Sequence, residues 1–170
     1  MYRLAIGMLT LLLAGGANAQ SLADIERAEA AVIAAWEQTP LLFRRTIFVT
    51  EANGYGAYKE RADARFKPGE PLLVYSEPVG YAWKDNGDGT FSFGFDVDLL
   101  LKTSSGEIVG GQENFQQLVL TSRAKNREFM LTLTLTLTGA PAGDYVVEYR
   151  TRDAFGSKVG TISLPFTIAE

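Results

Sequence analysis

The sequence predicts an all-β domain, a sandwich or a barrel, preceded by one amphipathic helix. Two observations carry that reading. Apolar residues recur at helical spacing in one segment only, between residues 21 and 40, and beyond Pro40 they alternate with period two. Turn signals rich in Gly, Asn, Asp and Pro cut the alternating part into several short strands, which is the pattern of a sandwich or barrel.

The chain opens differently. Arg3 precedes the almost wholly apolar residues 4 to 14, and Ala17-Asn18-Ala19 forms a small-residue cleavage site. This reads as a secretory leader, residues 1 to 19, cut before Gln20. A membrane anchor is the alternative, but the apolar stretch falls short of the ~20 residues a spanning helix needs. With no cysteine in the chain, there is neither a lipid-attachment site nor a disulfide. The expected destination is the periplasm or the medium, with no membrane insertion after cleavage. Of the 16 basic residues Arg3 leaves with the leader, so 15 stand against 20 acidic ones, a net charge of about −5. No basic patch of the kind nucleic acid requires is visible.

The helix is expected in residues 20 to 40. Ser21 followed by Asp24 resembles a capping box, with Asp in place of the usual Glu. Leu22, Ile25, Ala28, Val32 and Trp36 share one face, and Pro40 stops the helix. Such a stripe is expected to dock the helix on the domain through Trp36, with partner binding as the sharper alternative.

The domain is expected over residues 41 to 170. Strands are predicted at 43–50, 72–77 and 81–83, then along the alternating row Phe91, Phe93, Phe95, Val97, Leu99 and Leu101. Residues 110–126 are less regular, with Phe115, Leu118 and Leu120 as core candidates. The Leu-Thr run of 128–138 should be an inner strand, paired on both sides, with its leucines in the core and its threonines out. A final hairpin covers 145–152 and 159–168. The polar segment 51–65 is the least settled and reads as a loop.

Residues 140 to 168, "APAGDYVVEYRTRDAFGSKVGTISLPFTI", resemble the closing hairpin of exported bacterial immunoglobulin-like domains. Pro141, Gly143, Tyr145, Asp153, Gly156, Phe166 and Ile168 carry that likeness, and "FKPGEPLLVY" at 66–75 is similar to a Pro-Gly-Glu strand of the same proteins. The resemblance implies an Ig-like antiparallel β-sandwich. It also implies structural roles for Tyr145 as a tyrosine-corner residue, for Trp83 as a buried core tryptophan and for Asp153 in the last turn. It implies little about function, because sandwiches host unrelated activities.

The residue types that are missing narrow the chemistry. Without His or Cys there is no Ser-His-Asp or Cys-His site, and a structural zinc site loses its usual ligands. No phosphate-binding or dinucleotide fingerprint occurs, so no cofactor and no metal are expected. Asp96 and Asp98 share a strand face, as a cation pair or an acid/base pair would, but the solvated polar face of a half-buried strand is the better reading, because a one-sided sheet requires such alternation. "DNGDGT" at 85–90 lacks the ligands of a calcium loop and reads as a hairpin turn. Tyr55, Tyr58 and Arg61 bring aromatic rings beside positive charge in the 53–65 loop, a combination suited to a glycan or a protein interface.

The function expected from these readings is an exported non-catalytic binding module whose partner is another envelope protein or a glycan. The alternatives are a carboxylate-dependent hydrolase of envelope polysaccharide and an assembly subunit that pairs through strand edges.

Overall fold

The computed structural model describes residues 21–170, so the predicted leader, 1 to 19, lies outside the described residues. Helix α1 spans Leu22–Gln38. Ser21 caps it: its hydroxyl accepts from the Asp24 N–H at 3.3 Å, and the Asp24 carboxylate accepts from the Ser21 N–H at 3.0 Å. Ten strands follow: β1 Leu42–Gly54, β2 Ala57–Glu60, β3 Arg65–Phe66, β4 Pro71–Val79, β5 Lys84–Asp85, β6 Phe91–Thr103, β7 Ile108–Ser122, β8 Leu131–Thr136, β9 Gly143–Asp153 and β10 Val159–Ile168. No helix among the described residues is long and apolar enough to cross a membrane.

The strands form an all-β sandwich. One sheet runs β2-β1-β4-β8, and the other runs β3-β10-β9-β6, with β7 on the far edge of β6 and the short β5 alongside the start of β6. In immunoglobulin lettering, β1, β4 and β8 take places A, B and E, and β10, β9, β6 and β7 take G, F, C and C′. Among the described residues no strand fills place D beside β8.

Alternation sets what each sheet buries. Phe93, Phe95 and Val97 of β6, Val147 and Tyr149 of β9, Leu72 and Val74 of β4, and Leu131 and Leu133 of β8 meet between the sheets, each almost wholly buried. Tyr145 lies at the start of β9, and its hydroxyl donates to the Pro141 carbonyl at 3.0 Å, the bond of a tyrosine corner.

The strands differ from expectation in four places. Residues 81–83 form no strand: β4 ends at Val79, and the chain then passes under the helix, with Tyr81 bonded to Trp36 through its carbonyl, before the short β5 begins at Lys84. The Leu-Thr run is an edge strand, because β8 pairs with β4 alone. Its leucines gain their burial from the opposite sheet, so the sequence pattern is the same whether one neighbour or two lie alongside. The irregular-looking 110–126 stretch is mostly β7, whose pairing with β6 breaks at a bulge around Asn114, a non-glycine residue at φ 51. There Leu120 is 40 % exposed, not core. The 51–65 loop is largely a hairpin, since β1 runs on to Gly54 and turns at Tyr55 and Gly56 into β2.

Candidate functional site

Helix α1 is held by its last turn. Trp36 is buried there, and its indole N–H donates to the Tyr81 carbonyl at 2.9 Å. Its ring meets Tyr81 edge-on at 5.0 Å and stacks on Trp83 at 5.5 Å. Tyr81 packs in turn on Phe93 and Phe95, so the anchor joins the core. Burial drives the Tyr81 hydroxyl far above its ordinary pKa, and it serves as a neutral donor to the Asn126 carbonyl at 2.9 Å. The Trp83 indole donates to that same carbonyl at 2.9 Å.

A second clamp closes on the helix terminus. The Lys158 ammonium donates to the carbonyls of Glu37, Thr39 and Gly80 at 2.8, 2.7 and 2.6 Å. A cation is favourable where a helix leaves carbonyls unpaired. Gly80 sits at φ +85, and a Cβ there would run into the Thr39 and Pro40 carbonyl oxygens, so only glycine lets the two segments meet.

Above that last turn the expected docking does not occur. Leu22 is 70 % exposed, Ile25 53 % and Val32 44 %, and Ala28 is exposed too. At ~1.5 Å per residue the helix is far longer than its single anchored turn, so the stripe extends past the surface that would have covered it.

Between α1 and the sandwich lies an open groove of about 640 Å3. Val32, Ile33 and Trp36 form its helical wall, while Tyr55, Arg44 and the 124–128 segment form the other. The Arg44 guanidinium donates to the Tyr55 hydroxyl at 3.3 Å, and Lys125 pairs with Glu37 at 2.8 Å across the base of the helix. The site is therefore a groove with Val32, Ile33 and Glu29 above a mixed-charge floor, and the rest of the stripe, Leu22 and Ile25, continues along α1 beyond it.

Of the three binding candidates only Tyr55 reaches this groove. Tyr58 packs on Tyr75 with ring centroids 4.4 Å apart and the planes tilted by 36°, which covers one side of its ring. Arg61 is engaged internally: it pairs with Glu70 at 2.6 Å, donates to the Arg65 carbonyl at 2.6 Å and lies 4.2 Å over the Phe66 ring. Trp83 is only half-buried, and the tryptophan deep in the core is Trp36, carried in by the helix. Asp153 is buried; its carboxylate accepts from the Ala82 N–H at 2.7 Å and the Phe155 N–H at 3.1 Å, tying the last turn to the segment under the helix.

Asp96 and Asp98 do not converge on a cleft. The Arg152 guanidinium bonds Asp98 and, helped by the Asn114 N–H, holds its carboxyl below the ordinary range; Asp96 accepts from Gln117 at 3.1 Å. The 85–90 stretch is a turn closed by its own carboxylates: Asp85 accepts from the Gly87 N–H and Asp88 from the Thr90 N–H. Among the described residues no three acids cluster as a metal site would need. Arg44, Lys158 and the 124–128 segment are the site residues that sequence reasoning missed, because their roles depend on contacts between distant parts of the chain.

No protein-family model and no curated protein matches this chain.

Proposed function

We propose that this chain is an exported, non-catalytic interaction module of the cell envelope, built on an Ig-like sandwich of the exported bacterial kind. It holds a segment of a partner protein between α1 and the sandwich. One observation carries the reading: the stripe of Leu22, Ile25 and Val32 stays exposed on a helix whose end is clamped by Trp36 and Lys158. A stripe at this spacing gives a partner segment one apolar face to lie along, and the anchored turn fixes its direction in advance, which lowers the ordering cost of binding.

A protein partner fits better than a glycan. Sugars stack on free aromatic faces, and here Tyr58 lies on Tyr75 while Trp36 and Trp83 lie on each other. What remains exposed on the helical wall is aliphatic apart from Glu29. The helix also carries Asp24, Glu26, Glu29 and Glu37 against Arg27 alone, so the partner surface should be apolar with a cationic rim.

A photo-crosslinking residue placed at position 25, 55 or 159 tests this in the producing cell. Adducts to one envelope protein from positions 25 and 55, and none from the exposed Val159, are expected. Silence at 25 and 55, or the same adducts from 159, would sink the reading.

A further inference from the structure

We infer that the free edge of β7 pairs two copies of this chain, antiparallel, through Gln116–Ser122 about a two-fold axis at Val119. The strand bonds β6 along one side, with a continuous register from Phe91↔Ser122 to Val97↔Gln116. Among the described residues no strand pairs with its other side, and no backbone hydrogen bond from another segment reaches it there. A row of open N–H and C=O groups is a template for another strand.

Natural edges are usually blunted by charge, proline or a bulge. Here those devices flank the segment without entering it. The Asn114 bulge and Glu113 precede it, Arg123 follows it, and "QQLVLTS" between them carries no charge and no proline. Within it Val119 is 62 % exposed and Leu120 40 %.

The occupant is a second copy because the segment is complementary to itself. A dyad at Val119 sets Val119 opposite Val119, Leu118 opposite Leu120, Gln117 opposite Thr121 and Gln116 opposite Ser122. Every apolar residue then meets an apolar one and every polar residue a polar one. Moving the dyad to Leu118 sets Gln117 against Val119 and Gln116 against Leu120; moving it to Leu120 sets Leu118 against Ser122. Registers between these would oppose residues from different faces of the sheet. The favoured register also brings each Glu113 to the Arg123–Lys125 end of the other copy, which gives charge complementarity at both ends.

A second observation agrees. Beside this edge, between β7 and β8, lies a cleft of about 440 Å3 lined by Leu118, Leu120, Phe129, Met130, Thr132 and Tyr55. In β7 the even-numbered leucines turn inward, opposite Phe95 and Phe93. The same residues of a paired copy would project on that side and cover the cleft. Pairing joins the two larger sheets into one, and the cleft that it covers shares Tyr55 and Glu128 with the α1 groove, so the two readings are told apart at Ile25, which lines neither.

Because the chain has no cysteine, a single introduced one reports the register. The full chain, produced through its own leader, is compared by sedimentation equilibrium and mild oxidation with Val119→Cys, Val109→Cys and Val119→Lys. Directly opposed residues lie about 4.5–5.5 Å apart between Cα atoms, within the ~4.4–6.8 Å span of a disulfide. A concentration-dependent dimer is expected, together with rapid cross-linking at 119, none at 109, and a monomeric Val119→Lys whose unfolding midpoint equals that of the wild type at concentrations dilute enough for both to be monomers. A wild-type chain monomeric at millimolar concentration would overturn the inference, as would cross-linking at 119 no faster than at 109. A dimer that survives Val119→Lys and dissolves on Ile25→Glu would assign the contact to α1 and overturn it equally.

Discussion

Two apolar rows in this chain are equally plain in sequence and end in opposite environments. The leucines of β8 are covered: Leu131 and Leu133 are fully buried and Leu135 is 8 % exposed. The row on α1 is bare except for Trp36 at its end. Periodicity tells which residues share a face, and whether the face is covered depends on what the rest of the chain can bring to it. A strand within a sandwich always has the opposite sheet. A helix joined at one turn has only the surface its anchor reaches.

The strongest way to break that contrast is to remove the anchor. Trp36→Ala takes away the ring that packs on Tyr81 and Trp83 and leaves the Tyr81 carbonyl without its donor. A loss of about 3–5 kcal/mol is expected from chemical denaturation, with hydrogen exchange of α1 rising to that of an unfolded segment. Stability within error of wild type would mean that the helix is not held this way. Leu133→Ala should cost about 2–5 kcal/mol with α1 protection unchanged, because that cavity opens between the sheets and away from the helix.

These contacts also mark how far the sequence could be read. Most strands, the capping box and the closing hairpin were legible, because period-two alternation and turn chemistry act locally. The edge position of β8 was not, since an inward leucine looks the same beside one neighbour or two. Arg61 looked available for binding because its partners Glu70 and Phe66 come from the next turn and strand. Lys158 carried no signal at all: it stands 121 residues from the Glu37 carbonyl that it caps. Tyr55 was named from its place beside glycines at a turn, which is local; that it lines the groove, half-buried, depends on α1 lying alongside.

The complementary change is made on the bare row. Ile25→Glu with Val32→Glu puts charge at two exposed positions, so the unfolding free energy should stay within about 0.5 kcal/mol of wild type. Partner cross-linking from position 55 should nevertheless fall about tenfold or more, because the carboxylates would have to be desolvated in the complex. If the double variant unfolds several kcal/mol more easily, the stripe is covered by the chain itself and the contrast with β8 disappears.

The smallest expected effect concerns an outward-facing residue that does find a cover within the chain. Tyr75 alternates with the core-facing Val74 and is nevertheless fully buried, because the β1–β2 hairpin packs on it through Tyr58. Its hydroxyl accepts from the Gly56 N–H at 2.8 Å and donates to Glu77 at 2.8 Å, fixing the turn that carries Tyr55. Burial pushes its pKa up to about 12, with Glu77 adding to the rise and the Gly56 N–H opposing it. A raised folded-state pKa means that the stabilisation is complete below the unfolded value near ~10 and is lost as pH climbs from there towards the folded value. Tyr75→Phe should therefore flatten part of the alkaline decline in stability. It should not remove all of it, because burial raises Tyr81 and Tyr149 as well. The same ionisation would remove the proton donated to Glu77 and set two anions together, while the Gly56 N–H would bond the phenolate more strongly. The turn that carries Tyr55 should therefore keep its tie to Tyr75 and lose only the Glu77 contact in that window. A wild-type decline that matches the variant's throughout would show that the Tyr75 hydroxyl ionises alike in the folded and unfolded chain, and so that the hairpin, like the free half of α1, is not packed down on the domain.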